Sequence, residues 1–223
     1  MGARSKMAGW TAAMVAASFA ACTQVVPKQE KSDDGLVRVT RPQVDVLFVM
    51  PGTSLEKYRK VLIDDVEVTF RGGWQTQPGV TATDIARIRQ RAADGFRAVF
   101  ASELEDKGGY PVVDEPGPDV LRVNASILEL TVTTPTSPSD DAERTFNVSA
   151  SEMTLRAELH DSQSGALLAR ALDHSMGRQT GDLRVMSQAA NVNEGAQSFE
   201  LWARLLRNAL DAARSGAPPP ATN

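Results

Sequence analysis

The alternation of apolar and polar residues predicts four β-strands between positions 58 and 176. The first covers 58–70, with a phase slip at Asp64 and Asp65 that indicates a β-bulge. The others cover 121–132, 146–160 and 166–176. In the second, apolar residues lie on one parity as far as Ile127 and on the other from Leu128 onward, so it is expected to change face midway.

Two further segments have the apolar spacing of amphipathic helices. Thr83 and Asp84 open the first, which is expected to end near Glu105. Its inward stripe comprises Ile85, Ile88, Ala92, Phe96, Val99 and Leu104. The second begins at Asn193 or Glu194 and ends near Arg214. Its inward residues are Phe199, Trp202, Leu205, Leu206, Ala209 and Ala213.

The order of these elements is β-α-β-β-β-α. A helix between the first two strands implies a right-handed parallel connection, whereas the short later links imply an antiparallel meander. We therefore expect an α+β two-layer sandwich with one mixed four-stranded sheet and two helices on one face.

Cys22, the single cysteine of the chain, follows a short apolar stretch that begins after Arg4 and Lys6. A basic start, an apolar segment too short to span a bilayer and small residues at its end are typical of a bacterial export signal. The residues Phe19-Ala20-Ala21-Cys22 resemble a lipobox, in which the cysteine sulfur receives diacylglycerol. The alternative is an ordinary secretory signal cut after Ala20, which leaves a free thiol near the new terminus.

These features predict a signal peptide over residues 1–21 and an acylated N-terminus with a flexible tether over 22–40. The expected partner of the lipid on Cys22 is a membrane. Thr23 stands where lipoproteins retained in the inner membrane commonly carry aspartate, so the outer membrane, facing the periplasm, is the expected location. A single domain over 41–214 and a Pro-rich disordered tail over 215–223 complete the predicted organisation.

Charge argues against nucleic acid as a partner. Removing the signal peptide leaves 22 basic and 28 acidic residues, a formal charge of about −6. Binding to nucleic acid requires a clustered positive surface, which this composition does not favour. Arg87, Arg89, Arg91 and Arg97 on the first helix are interpreted as a solvated face with local pairing to Asp84 and Asp94.

No arrangement of residues predicts catalysis, a metal site or a cofactor. His160 and His174 are the two histidines, and in a hairpin they are expected to lie on the order of 20 Å apart. The adjacent carboxylates of Asp64 and Asp65 would point to opposite faces of a strand. No serine lies in a Gly-x-Ser-x-Gly pattern, and no Gly-rich phosphate loop occurs.

Several segments together resemble a bacterial family of predicted lipoproteins known as domain of unknown function 3313. They are the Cys22 lipobox, the stretch from Tyr58 to Asp64, the turn Asp161-Ser162-Gln163-Ser164-Gly165 and the terminal helix. The resemblance implies a fold and a location but no catalytic residues.

Two hypotheses for function follow. The first is a non-enzymatic outer-membrane lipoprotein whose periplasmic domain binds or scaffolds another envelope component. Its contact surfaces would be the open sheet face or edge and the loops 133–145 and 177–192. The alternative is a carrier of a small apolar ligand or lipid, held between sheet and helices where the face changes splay the sheet.

Overall fold

The computed structural model describes residues 30–133, 147–149, 152–176 and 188–216. In these residues seven strands form one mixed sheet, an eighth short strand extends it, and two α-helices pack against it. The strands are β1 (Val37–Arg41), β2 (Val44–Val49), β3 (Lys60–Ile63), β4 (Glu67–Phe70), β5 (Val120–Thr133), β6 (Asn147–Ser149), β7 (Glu152–Asp161) and β8 (Leu167–Met176). The helices are α1 (Ala82–Ala101) and α2 (Gln188–Arg214).

The sheet runs in the order β1-β2-β8-β7-β5-β3. β3 and β4 lie one after the other along the same edge of β5, and both are parallel to it. β5, β7 and β8 pair in antiparallel fashion. The predicted α+β class, the parallel connection through a helix and the antiparallel meander are therefore confirmed.

The prediction of a four-stranded sheet was wrong. The β1–β2 hairpin was missed, and the strand expected over 58–70 is divided into β3 and β4 by residues 64–66. β6 pairs with the C-terminal end of β5 and is antiparallel to it, as β7 is. The register of β6 on β5 differs by two residues from the register of β7. The domain boundary at residue 41 was also too late, since β1 begins at Val37 inside the expected tether.

β5 changes face as its sequence predicts. Side chains are buried at Val123, Ala125 and Ile127 and then at Leu130 and Val132, so the buried parity shifts by one residue. The shift coincides with Glu129, whose φ of 56° is left-handed and whose amide donates to Thr69 Oγ1. An extra residue in β5 opposite β4 thus forms a bulge that keeps both halves of the strand on the core.

α1 begins with a complete capping box. The hydroxyl of Thr81 accepts from the Asp84 amide, and the Asp84 carboxylate accepts from the Thr81 amide. Ile88 and Phe96 are buried as predicted, with Phe100 beside them, and the helix continues as a π-helical turn over Ser102–Asp106. Leu104 on that turn is fully buried.

Two arginines of α1 do more than form a solvated face. Arg89 donates to the carbonyl of Val68, and Arg97 donates to that of Ile63 at 2.6 Å. Both acceptors lie on β3 and β4 at the sheet edge, so α1 covers main-chain groups that an edge leaves unpaired. Arg87 pairs with Asp84 as expected, whereas Asp94 accepts from Gln90.

α2 begins at Gln188, earlier than predicted, and closes the core together with α1. Phe199, Trp202 and Leu206 are buried as expected. Ala203 and Leu210 are also buried, whereas the predicted Ala209 is exposed. Phe199 contacts Phe96 edge to face, with ring centroids 5.5 Å apart. Within the described residues, no helix combines the length and the apolar character needed to cross a bilayer.

Candidate functional site

The face of the sheet opposite the core carries polar side chains in ordered positions. On β5, Arg122 and Asn124 are exposed and alternate with the buried Leu121 and Val123. The strand registers place on this same face residues of the neighbouring strands. We call the open face the set Arg38, Val46, Phe48, Arg122, Asn124, Arg156, Glu158, His160, Arg170 and Leu172.

Glu158 is the centre of a charged cluster on the open face. Its Oε1 accepts from Arg156 and from Arg170, each at 2.8 Å, and its Oε2 lies 3.3 Å from His160 Nε2. Partial burial raises the pKa of Glu158, but the hydrogen bonds from Arg156, Arg170 and His160 more than offset burial and lower it. The carboxylate therefore stays ionised and holds both guanidinium groups in fixed orientations.

A second ion pair ties the start of the domain to this cluster. Arg170 Nη2 lies 2.6 Å from Asp34 Oδ2, and the two residues line a shallow cleft of about 560 Å³ with Ser32 and Asp33. Hydrogen bonds from Ser32 and Arg170 lower the pKa of Asp34 to about 2. Arg170 thus bridges two carboxylates, one from β7 and one from the segment before β1.

Asp64 occupies the other side of the open face. Arg122 Nε lies 2.9 and 2.8 Å from its two carboxylate oxygens, and Asn124 Nδ2 donates to it at 3.2 Å. Asp65 is exposed beyond the end of β3. The Asp64 carboxylate therefore holds the side chains of Arg122 and Asn124 in fixed orientations through these hydrogen bonds.

The turn after β7 forms as its sequence predicts. Asp161 Oδ1 accepts from the amides of Gln163 and Ser164 and from the Ser164 hydroxyl, and Gly165 has a φ of 70°. Asp161 Oδ2 accepts from Lys57 Nζ at 2.5 Å and from the hydroxyl of Tyr58. The pKa of this carboxyl is held well below its usual range. The hydrogen bond from Lys57 contributes most to this lowering, and the hydrogen bond from the Ser164 amide contributes next.

The histidines do not converge. His160 Nδ1 lies 3.1 Å from the carbonyl of Gly165, whereas His174 Nδ1 lies 2.9 Å from Thr154 Oγ1 at the opposite end of the β7–β8 hairpin. In the described part of the chain, no group of three or more His, Cys, Asp or Glu side chains is placed to hold a metal ion. The predicted lipidation site, Cys22, lies outside the described residues.

The predicted contact loops fall mostly outside the described residues. Within 133–145 only residue 133 is described, at the end of β5. Within 177–192, residues 188–192 are described, as the first turns of α2.

The region where a carried apolar ligand was predicted is filled by side chains. At the two face changes, Ile63, Ile127 and Leu130 are 3%, 0% and 2% exposed. Phe96 and Phe100 stack above the sheet with centroids 4.0 Å apart. The sheet therefore breaks and bulges without opening this part of the core, which leaves the carrier hypothesis without structural support.

Sequence reasoning missed the part of the open face that belongs to β1 and β2. Val37 and Val39 alternate with Arg38 and Thr40, and Val44–Val49 contains five apolar residues in six. These patterns indicate strands. Residues 23–36 are mostly polar, and their composition hides the short alternation that follows, so the predicted tether extended to residue 40.

Three solved structures are similar to this chain at 11 or 12% identity. A PelC dodecamer from Paraburkholderia phytofirmans has a TM-score of 0.34 and 11% identity, over 70% of this chain and 96% of that one. A protein from Xanthomonas campestris in the family DUF330 has a TM-score of 0.37 and 12% identity, over 74% and 91%. A Helicobacter pylori protein is described as a homolog of a neuraminyllactose-binding hemagglutinin. It has a TM-score of 0.32 and 11% identity, over 73% of this chain and 95% of that one.

These TM-scores are too low to support an argument about the fold or the function of this chain. No curated protein matches it. A family model described as "Protein of unknown function (DUF3313)" matches residues 28–206. That span runs from just before β1 into α2 and contains both Tyr58 and Asp161. The chain therefore belongs to the DUF3313 family, as the resemblance of its motifs predicted.

Proposed function

We propose that this protein is a non-enzymatic outer-membrane lipoprotein whose periplasmic domain binds or scaffolds another component of the cell envelope. The open face carries this proposal. Its charged side chains are held in place by hydrogen bonds, and in the described residues the helices pack on the opposite side of the sheet. A surface that is already ordered loses little side-chain entropy when a partner binds.

The location rests on the sequence. Cys22 at the end of the export signal supplies the anchor, and Thr23 favours sorting to the outer membrane. Such an anchor brings the domain to the membrane without a spanning helix. It leaves the domain in the periplasm, where a neighbouring envelope protein is within reach.

The half of the open face on β5 and β7 is the surface we assign to that partner. It presents Arg122 and Arg156, whose side chains are 48% and 51% exposed, each beside an acidic residue. Arginine is enriched at the centres of protein interfaces because its planar group makes paired hydrogen bonds. A partner with alternating acidic and amide groups fits this surface.

Photo-crosslinking in intact envelopes tests the proposal. A photoreactive residue replaces Asn124, which is exposed on the open face, and a control replaces Arg204, which is exposed on α2. We expect a reproducible protein adduct from position 124 that is absent from position 204. Repeated absence of an adduct from position 124, or equal adducts from both positions, contradicts the proposed surface.

A further inference from the structure

A short apolar stripe crosses the open face where β2 pairs with β8. Val46 lies opposite Leu172 in the antiparallel register, and Phe48 lies two residues further along β2 on the same face. Leu172 is 38% exposed and is the one large hydrophobic residue in the described part of the chain that is exposed. Val46 and Phe48 are half-buried. The apolar stripe, Val46, Phe48 and Leu172, is thus open to solvent within a charged face.

Arginines flank the apolar stripe. Arg38 and Arg170 lie opposite Phe48 from its two sides, and Arg156 lies opposite Leu172. Their acidic partners are Glu30, Asp34 and Glu158. The formal charges of the three pairs cancel, so the surface combines apolar area with guanidinium donors and carries no net charge. Guanidinium groups bind phosphate oxygens in pairs, and their methylene stems cover apolar surface.

The anchor would enter the domain at this corner of the sheet. The carbonyl of Glu30 accepts from the Arg38 amide at 2.9 Å, so the chain that precedes the domain begins beside β1. Seven residues lie between Cys22 and Glu30, so the two are eight residue steps apart. At about 3.3–3.6 Å per step, this length of chain spans at most about 29 Å. A lipid on Cys22 therefore holds the apolar stripe close to the bilayer, at an effective concentration on the order of millimolar.

We propose that the apolar stripe docks on the phospholipid surface to which the Cys22 lipid anchors the protein. Phe48 and Leu172 would enter the interfacial region while Arg38 and Arg170, on either side of Phe48, meet phosphate oxygens, an arrangement that interfacial proteins use. The proposal rests on the proposed anchor at Cys22. Docking of β2 and β8 would also orient the domain, because it leaves Arg122 and Asn124 on β5, beyond β7, for a protein partner.

Quenching by brominated lipid tests the docking. Acylated mature protein carrying Leu172→Trp is placed in phosphatidylethanolamine–phosphatidylglycerol vesicles with brominated acyl chains, and Asn208→Trp on the exposed side of α2 is the matched control. The native Trp74 and Trp202 are 2% and 5% exposed and contribute equally to both samples. We expect at least threefold stronger quenching at position 172 than at position 208. Phe48→Glu added to Leu172→Trp should remove that difference.

Mass spectrometry of the N-terminus on the same samples separates the anchor from the docking. If Cys22 is acylated and positions 172 and 208 are quenched equally, the docking is overturned while the anchor stands. If Cys22 is not acylated, the anchor fails, and vesicle flotation of the mature chain at millimolar lipid decides the docking. Flotation that Phe48→Glu abolishes supports it, and no flotation overturns it. A protein adduct from a photoreactive residue at position 172, without quenching, overturns it in favour of a protein partner.

Discussion

The hydroxyl of Tyr58 donates a hydrogen bond of 3.0 Å to the carboxylate of Asp161, which lies 103 residues later in the chain. Tyr58 precedes β3 at one edge of the sheet, Asp161 ends β7, and β5 lies between these strands. The bond therefore ties an edge strand to a turn that is not its neighbour. These residues belong to two of the segments on which the family resemblance rests, so the contact joins those segments in the fold.

Removal of this contact should destabilise the fold. Tyr58 is 2% exposed, so Tyr58→Phe should lower the free energy of unfolding by about 0.5–1.5 kcal/mol. Asp161→Ala leaves the Tyr58 hydroxyl and the Ser164 amide without an acceptor and should cost about 2 kcal/mol or more. Urea unfolding of the mature chain measures both. As a control, Lys57→Ala removes a side chain that is 58% exposed and should cost less than about 1 kcal/mol. A loss of stability for Lys57→Ala as large as that for Asp161→Ala would contradict this account.

Acid should remove the contribution of Asp161. Hydrogen bonds lower the pKa of this carboxyl from its ordinary value of 3.8, so ionisation favours the folded state above that pH. The contribution is lost as the pH falls below about 3.8 toward the lowered folded pKa. The difference in unfolding free energy between the natural chain and Asp161→Asn should therefore shrink between pH 7 and pH 3. Asp114→Asn, at a side chain 93% exposed, is the control for the loss of one negative charge. A difference for Asp161→Asn that stays constant with pH would exclude this linkage.

The bulge in β5 offers a test of backbone strain. Glu129 holds a φ of 56°, a conformation that glycine adopts freely, asparagine tolerates and β-branched residues resist. We expect Glu129→Gly to raise the free energy of unfolding by up to about 1 kcal/mol, because the lost ion pair with Arg71 is exposed and weak. Glu129→Val should lower it by more than about 1 kcal/mol. Urea midpoints that decrease in the order Gly, Asn, Glu and Val at position 129 support this explanation. A valine variant as stable as the natural chain with Glu129 would refute it.

Local patterns in the sequence were sufficient to predict a strand, a helix or a turn whose conformation depends only on nearby residues. The alternation around Ala157, the stripe through Ile88 and Phe96, and the turn at Asp161 each depend on side chains close in sequence. The sheet size was missed because β1 is short and follows a polar segment. The pairing of β2 with β8 joins distant parts of the chain, as does the contact of Asp34 with Arg170, which lie 136 residues apart.

The open face was harder to predict for a related reason. Arg122, Arg156 and Arg170 each look like ordinary solvated charges in the sequence, and only the strand registers bring the last two to the same carboxylate. Likewise, Phe48 and Leu172 become neighbours on one surface only when β2 and β8 pair. Recognition of such surfaces requires the topology, which periodicity alone does not supply.

Cys22 is the residue on which the proposed location depends, and its role can be separated from the fold. The described domain begins at Glu30 and has its own core, so Cys22→Ala should abolish acylation and processing by the lipoprotein peptidase without changing urea unfolding of the mature domain. Mass spectrometry of the mature N-terminus decides between a diacylated Cys22 and an unmodified thiol, which would indicate an ordinary secreted protein. Thr23→Asp tests sorting on its own, because family behaviour predicts retention in the inner membrane. If Thr23→Asp still fractionates with the outer membrane, the sorting proposal fails, whereas acylation of Cys22 would stand on the mass of the N-terminal peptide.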